Sequence, residues 1–215
     1  MVRRLYRSQL ARTARSLPWR WPLEANGVYV RWSDLGRPPQ QVDPIASHVA
    51  GRFLRAAGFD VNPVTWMTLA TSGVAVRGAA PSDLNIYHGD YQLRRWTVQN
   101  LNSYWARWAE VVRRPTIEAL RCSMRHLALP WGVLGAPRLH YTIATGEIVS
   151  KELAGEYALD TFDRAWHPLI RDALAYWREP SAKGAFTCAP GQLRTSGEFV
   201  AMVVESGNRL WATLQ

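Results

Sequence analysis

The chain has 215 residues, 47% of them apolar and 20% charged, with 26 basic against 17 acidic side chains and a net charge of +9. That balance excludes a disordered or fibrous chain, and no run approaches the roughly 18 to 20 uninterrupted apolar residues of a transmembrane helix. Two cysteines, Cys122 and Cys188, are too few for a disulfide framework; with no apolar stretch after the basic Met1–Arg7, the protein is expected in a reducing cytoplasm.

In chain order, Leu5 to Leu17 is a short basic helix that stops before Pro18. Leu23 to Trp32, with Val28, Tyr29 and Val30, reads as a strand. Gly36-Arg37-Pro38-Pro39 breaks the chain, and a Pro- and Gln-rich loop runs to about Pro44. The stretch to Asp60 has no clear period. Pro63 suits a helix start, because its missing N–H costs nothing there, and Gly73 ends that helix. Val74 to Gly78 is a short extended piece, and Ala80 to Leu84 a turn. Leu93 to Val112 is a long helix with Trp96, Leu101, Tyr104, Trp105 and Trp108 at helical spacing. Ile117 to Leu129 and Val133 to Thr145 follow, the latter kinked or restarted at Pro137. A glycine turn at Gly146 precedes helices over Ser150–Leu159 and Pro168–Trp177. Ser181 to Gly197 reads as loop, with Thr195-Ser196-Gly197 as turn chemistry. Glu198 to Leu214 closes the chain as a helix. The fold class is mainly α: a helical bundle over residues 61–215, preceded by a short α/β part over residues 1–60.

Arg138 and Lys151 bracket the Gly146 turn, and Lys151 is one of only two lysines in an arginine-rich chain. A lone lysine at a helix start, preceded by a serine that can cap it, suits a phosphate. The alternative is a pair of solvated helix-end charges. Glu152 and Glu156 lie one turn apart and share a face, which favours a solvated face paired with Lys151 or an arginine over capture of a cationic ligand. The five histidines show no metal-ligand spacing, and Cys122 with His126 makes only two ligands. No Gly-rich phosphate loop or nucleophile elbow occurs. The positive charge permits nucleic-acid binding, but no nucleic-acid module is recognisable, so nucleic acid is not the expected partner. No membrane partner is expected either.

Val133-Leu134-Gly135-Ala136-Pro137-Arg138-Leu139-His140-Tyr141, Thr145 to Leu159 and Trp166-His167-Pro168-Leu169-Ile170 resemble the C-terminal helical domain of aminoglycoside adenylyltransferases of the streptomycin/spectinomycin 3″ type. Leu23 to Val30 resembles the last strand of that family's nucleotidyltransferase domain, and Val74 to Leu84 the segment after its inter-domain helix. The resemblance implies AMP transfer from MgATP to an antibiotic hydroxyl, with an aminoglycoside or similar cationic ligand as acceptor. It implies that Arg138 and Lys151 grip ATP phosphates and that Trp177, or its neighbour Tyr176, lies by the nucleotide, unless those rings only pack the helix. It places Trp105, Trp108 and Glu110 at the drug, since rings stack on sugars and carboxylates hold ammonium groups. It makes Glu24 the general base, against the plainer reading of a strand-edge glutamate in solvent. The family's paired Asp-x-Asp metal motif is absent: no two of the eight aspartates have that spacing. Glu24 alone is a weak magnesium site. No metal ligand is therefore assigned, and the chain is expected to begin after that motif and to be inactive as it stands. The alternative is a non-catalytic protein of the same fold that binds a nucleotide or a cationic ligand.

Overall fold

The computed structural model describes residues 26–49, 52–58, 60–114, 128–179 and 190–215. The described structure is mainly α with one small antiparallel sheet. The chain divides into two compact units between Gly89 and Asp90. The expected helices at 5–17 and over most of 117–129 lie outside the described residues.

The first unit holds strands β1 (Gly27–Tyr29), β2 (Ala46–Val49) and β3 (Arg52–Arg55), in the order β1-β2-β3 and antiparallel throughout. Val28 faces Ser47, and His48 faces Phe53. The strand expected over 23–32 is therefore only three residues long where it is described, and the stretch without a clear period contains a strand pair. Helix α1 (Pro63–Ser72) starts as anticipated: Pro63 is the first helical residue, and Asn62 accepts the Thr65 N–H at 3.0 Å. Gly73 closes it through the Leu69 carbonyl. Trp66 anchors a small core with Leu35, Val42 and Ile86. Val74 to Gly78 is not a strand: Val74 and Val76 stand 84% and 97% exposed, and Gly78 takes φ +99°. No strand among the described residues pairs with it, and the backbone bends from Val76 to Ala79.

The second unit is all helical where it is described. α2 (Asp90–Asn100), a π turn (Leu101–Trp105) and α3 (Ala106–Arg113) form one continuous rod. Leu93, Thr97, Leu101, Trp105 and Ala109 are buried along it at a four-residue stride. On a regular helix that stride drifts by about 40° per step, and the wider π turn takes the drift back. α4 (Ala128–Thr145) carries Pro137 inside it. α5 (Lys151–Thr161), α6 (His167–Arg178) and α7 (Pro190–Thr213) complete the unit. α7 starts eight residues earlier than Glu198. Thr195, Ser196 and Gly197 are helical, because Gly197 lets α7 press on α3: a Cβ there would sit 2.5 Å from Arg113 Cγ and 2.9 Å from the Ala109 carbonyl.

The core joins the π turn, α4, α6 and α7 through Trp105, Leu134, Ile143, Ile170, Phe199 and Val203. α4 accepts the tryptophans of the rod by means of two glycines. A Cβ at Gly135 would meet Trp105 Cη2 at 2.3 Å, and one at Gly132 would meet Trp108 Cη2 at 2.3 Å. Each indole thus lies directly on the α4 backbone. Among the described residues no helix is long and apolar enough to cross a membrane.

Candidate functional site

The site is built on the corner between α4 and α5. α4 ends at Thr145, and Gly146 turns the chain with φ +80°, a conformation that a Cβ would strain. Arg94 closes the helix end: its guanidinium donates to the Ile143 and Ala144 carbonyls while pairing with Asp90 at 3.0 Å. The chain then runs without regular structure to Ser150, whose hydroxyl accepts the Leu153 N–H at 3.1 Å and starts α5. Lys151 is the first residue of that helix, and Arg138 lies two turns before the end of α4. The Arg138 Nε donates to the Val149 carbonyl at 2.5 Å, tying α4 to the segment that leads into α5.

The corner brings the two cations together in a half-buried setting. Burial lowers the Arg138 pKa. Burial, with the Arg138 charge adding to it, pushes Lys151 from 10.5 down to about 8. The N-terminus of α5 carries a partial positive charge of its own, so the helix also disfavours an ammonium at that place. Among the described residues no carboxylate makes an ion pair with either cation. What holds the ammonium is aromatic: Lys151 Nζ stands 4.8 Å from the centroid of the Trp177 ring and 5.9 Å from that of Trp131.

Of the residues singled out in the sequence, Arg138, Lys151 and Trp177 thus converge, while Tyr176 packs against the core. Glu24 lies outside the described residues. Trp105 and Trp108 are buried at 4% and 9% exposure against Gly135 and Gly132. Glu110 is exposed and pairs with Arg114, four residues on. It lines an open groove of about 900 Å³ that also carries Arg107, Arg113, Arg194 and Glu198. Glu152 and Glu156 both pair with Arg178 of α6, at 2.6 Å each, so an arginine takes up their charge as expected of a solvated face.

Trp131 is the residue that sequence reasoning missed. It precedes Arg138 by seven positions, which puts the two on one helix face, and that spacing was the available signal. Its ring lies 4.6 Å from that of Trp105, tilted by 32°, with the edge of Tyr104 at 5.6 Å. Beside the site, His140 is 4% exposed and bonded on both nitrogens, to Tyr157 Oη at 2.8 Å and Ser206 Oγ at 3.1 Å. Burial pushes its pKa down to about 4, so it joins α4, α5 and α7 as a neutral ring. Among the described residues no three His, Cys, Asp or Glu side chains gather to hold a metal ion. The corner itself, made of Arg138, Lys151 and two indole rings, offers no side-chain oxygen to a magnesium ion.

Residues 117–200 match the family model for the aminoglycoside adenylyltransferase C-terminal domain, a match that spans less than half of the chain and includes Trp131, Arg138, Lys151 and Trp177. No curated protein matches the chain.

Proposed function

Taking residues 117–200 as a C-terminal domain of the aminoglycoside adenylyltransferase type, we propose that the chain binds ATP, with Arg138 and Lys151 on the phosphates and Trp177 beside the nucleotide. One observation carries the reading. Two half-buried cations repel each other at a helix start, and no carboxylate among the described residues compensates them. Such an arrangement costs stability in the free protein, and a bound polyanion relieves the cost.

Each side chain has a separate part. Arg138, anchored through Nε by the Val149 carbonyl, offers a planar fork of fixed orientation to phosphate oxygens. Lys151 supplies a point charge that moves on a flexible stem. The neutralised phosphates then repel an incoming hydroxyl less. In the family reaction the oxygen of the antibiotic hydroxyl bonds to the α-phosphorus and pyrophosphate leaves; magnesium would neutralise charge on the leaving group when bound. Glu24, as the resemblance implies, takes the hydroxyl proton. Glu110, exposed on its groove, keeps the role of meeting an ammonium group of an aminoglycoside. Trp105 and Trp108 would contribute from behind, by supporting the wall of the site.

In this reading the protein is of an antibiotic-resistance type, and the chain binds nucleotide without transferring AMP by itself, because its sequence lacks the paired aspartates that would organise the metal. Isothermal titration with ATP tests the first half. Binding should be lost with Arg138→Ala and should follow the phosphates, with ATP tighter than AMP and adenosine silent. Assay of AMP transfer to streptomycin and spectinomycin tests the second half. Heat from adenosine equal to that from ATP would refute the phosphate site, and turnover by the chain alone would refute the non-catalytic form.

A further inference from the structure

Buried cations are ordinarily held by carboxylates, and a carboxylate beside Lys151 would defeat a phosphate site. It would neutralise the ammonium and compete with the ligand for it. An aromatic face does neither. Its quadrupole attracts the cation electrostatically, yet the full unit charge remains to be felt by an incoming anion. The structure holds Lys151 in this second way, with the Trp177 ring of α6 and the Trp131 ring of α4 both within about 6 Å of its ammonium. Among the described residues, the charged groups near it fit the same scheme. Arg138 faces it from α4 with the same sign, and the α5 carboxylates Glu152 and Glu156 are taken by Arg178.

Trp131 is also placed to resist displacement. Its ring packs on Trp105 at 4.6 Å, and Trp105 packs in turn on Trp108 at 6.2 Å and on the Gly135 backbone. The indole beside the ammonium thus belongs to an aromatic cluster rooted in the core.

We propose that Trp131 is a positioning residue of the phosphate site, holding the Lys151 ammonium together with Trp177 so that its charge stays uncompensated and aimed at phosphate. The proposal rests on the nucleotide-binding reading above.

The test uses the full chain with Trp131→Phe and Trp131→Leu. Lys151 and Lys183 are the only two lysines, so lysine ¹³Cε resonances resolve in a titration, and Lys151→Arg assigns them. Trp131→Leu keeps an apolar neighbour but removes the π face. The Lys151 titration midpoint should fall by about half to one unit, and affinity for both ATP and inorganic tripolyphosphate at pH 7 should fall roughly five- to twenty-fold. Trp131→Phe, which keeps a smaller π face, should lie between, and it carries the test alone if the leucine variant does not fold. A residue that only packs would lower the melting temperature and leave the midpoint and both affinities where they were; that outcome overturns the proposal while the phosphate site stands. Wild-type protein that binds neither ATP nor tripolyphosphate overturns the phosphate site, and this inference with it.

Discussion

Replacing Lys151 by Met should weaken ligand binding and stabilise the fold at once. The substitution keeps an unbranched apolar stem against Trp131 and Trp177 and removes the charge. In the folded chain the ammonium has a pKa of about 8 against 10.5 for a free side chain. The unfolded state therefore binds more protons between those values, and wild-type stability rises as pH climbs from about 8 to about 10.5. Below pH 8 the protonated amine costs stability. A shift of that size corresponds to about 3 kcal/mol at 1.36 kcal/mol per unit; partial solvent access reduces this to about 1–2 kcal/mol. Lys151→Met at pH 7 should gain that amount, raising the melting temperature by roughly 3–6 °C. A charge-assisted hydrogen bond to phosphate is worth about 1.5–3 kcal/mol, so ATP affinity should drop by about ten- to a hundredfold. Calorimetric melts at pH 7 and pH 10.5, with ATP titrations at pH 7, measure both. The stability gain should shrink toward pH 10.5. A variant that melts lower than wild type at pH 7, or that binds ATP with unchanged affinity, would refute the reasoning.

Gly135→Ala should cost about 1–3 kcal/mol by overpacking, since its Cβ would fall 2.3 Å from Trp105 Cη2. Gly191→Ala, at a helical glycine where no described residue lies within 4 Å of an added Cβ, should instead gain about 0.5–1 kcal/mol, and urea melts of the pair check the contrast. His140, with its pKa depressed from 6.5 to about 4, contributes stability that is fully present above pH 6.5 and is lost as pH falls toward 4. The loss should reach about 3 kcal/mol, and urea midpoints should decline less steeply in His140→Gln than in wild type over that range. Parallel declines would count against it.

Local chemistry was legible wherever one residue decides the backbone. Asn62 and Pro63 announce α1, Gly146 announces the corner at positive φ, and Ser150 announces α5. The cation pair could be read as well, because a lysine is conspicuous among arginines and the resemblance covers it. What escaped was set by tertiary contact. Ser196 and Gly197 look like turn residues by type, yet in α7 they are the small residues of a tight helix crossing. Trp105 and Trp108 have the residue type of a sugar-stacking pair, and nothing local reveals that two glycines on α4 receive them. Trp131 is one of eleven tryptophans, and its distinction lies in a lysine twenty residues away.

The π turn at Leu101–Trp105 has a consequence for the length of the chain. It amounts to one surplus residue in an otherwise ordinary rod, and Asn102 and Ser103 within it face solvent. Asn102 exchanges amide hydrogen bonds with Asn208 of α7 at 2.7 and 2.8 Å, and the Ser103 hydroxyl donates to the Gln99 carbonyl at 2.7 Å. Deleting one residue there would let the rod wind as a regular α-helix with Ala106 onward nearly in its present register, because the wide turn already absorbs one residue. Inserting another would swing everything after it by about a hundred degrees, so that Trp108 would lose its seat on Gly132 and the groove that carries Arg107 and Glu110 would point elsewhere. The segment can thus lose a residue but not gain one, an asymmetry that a survey of point mutations alone would not detect.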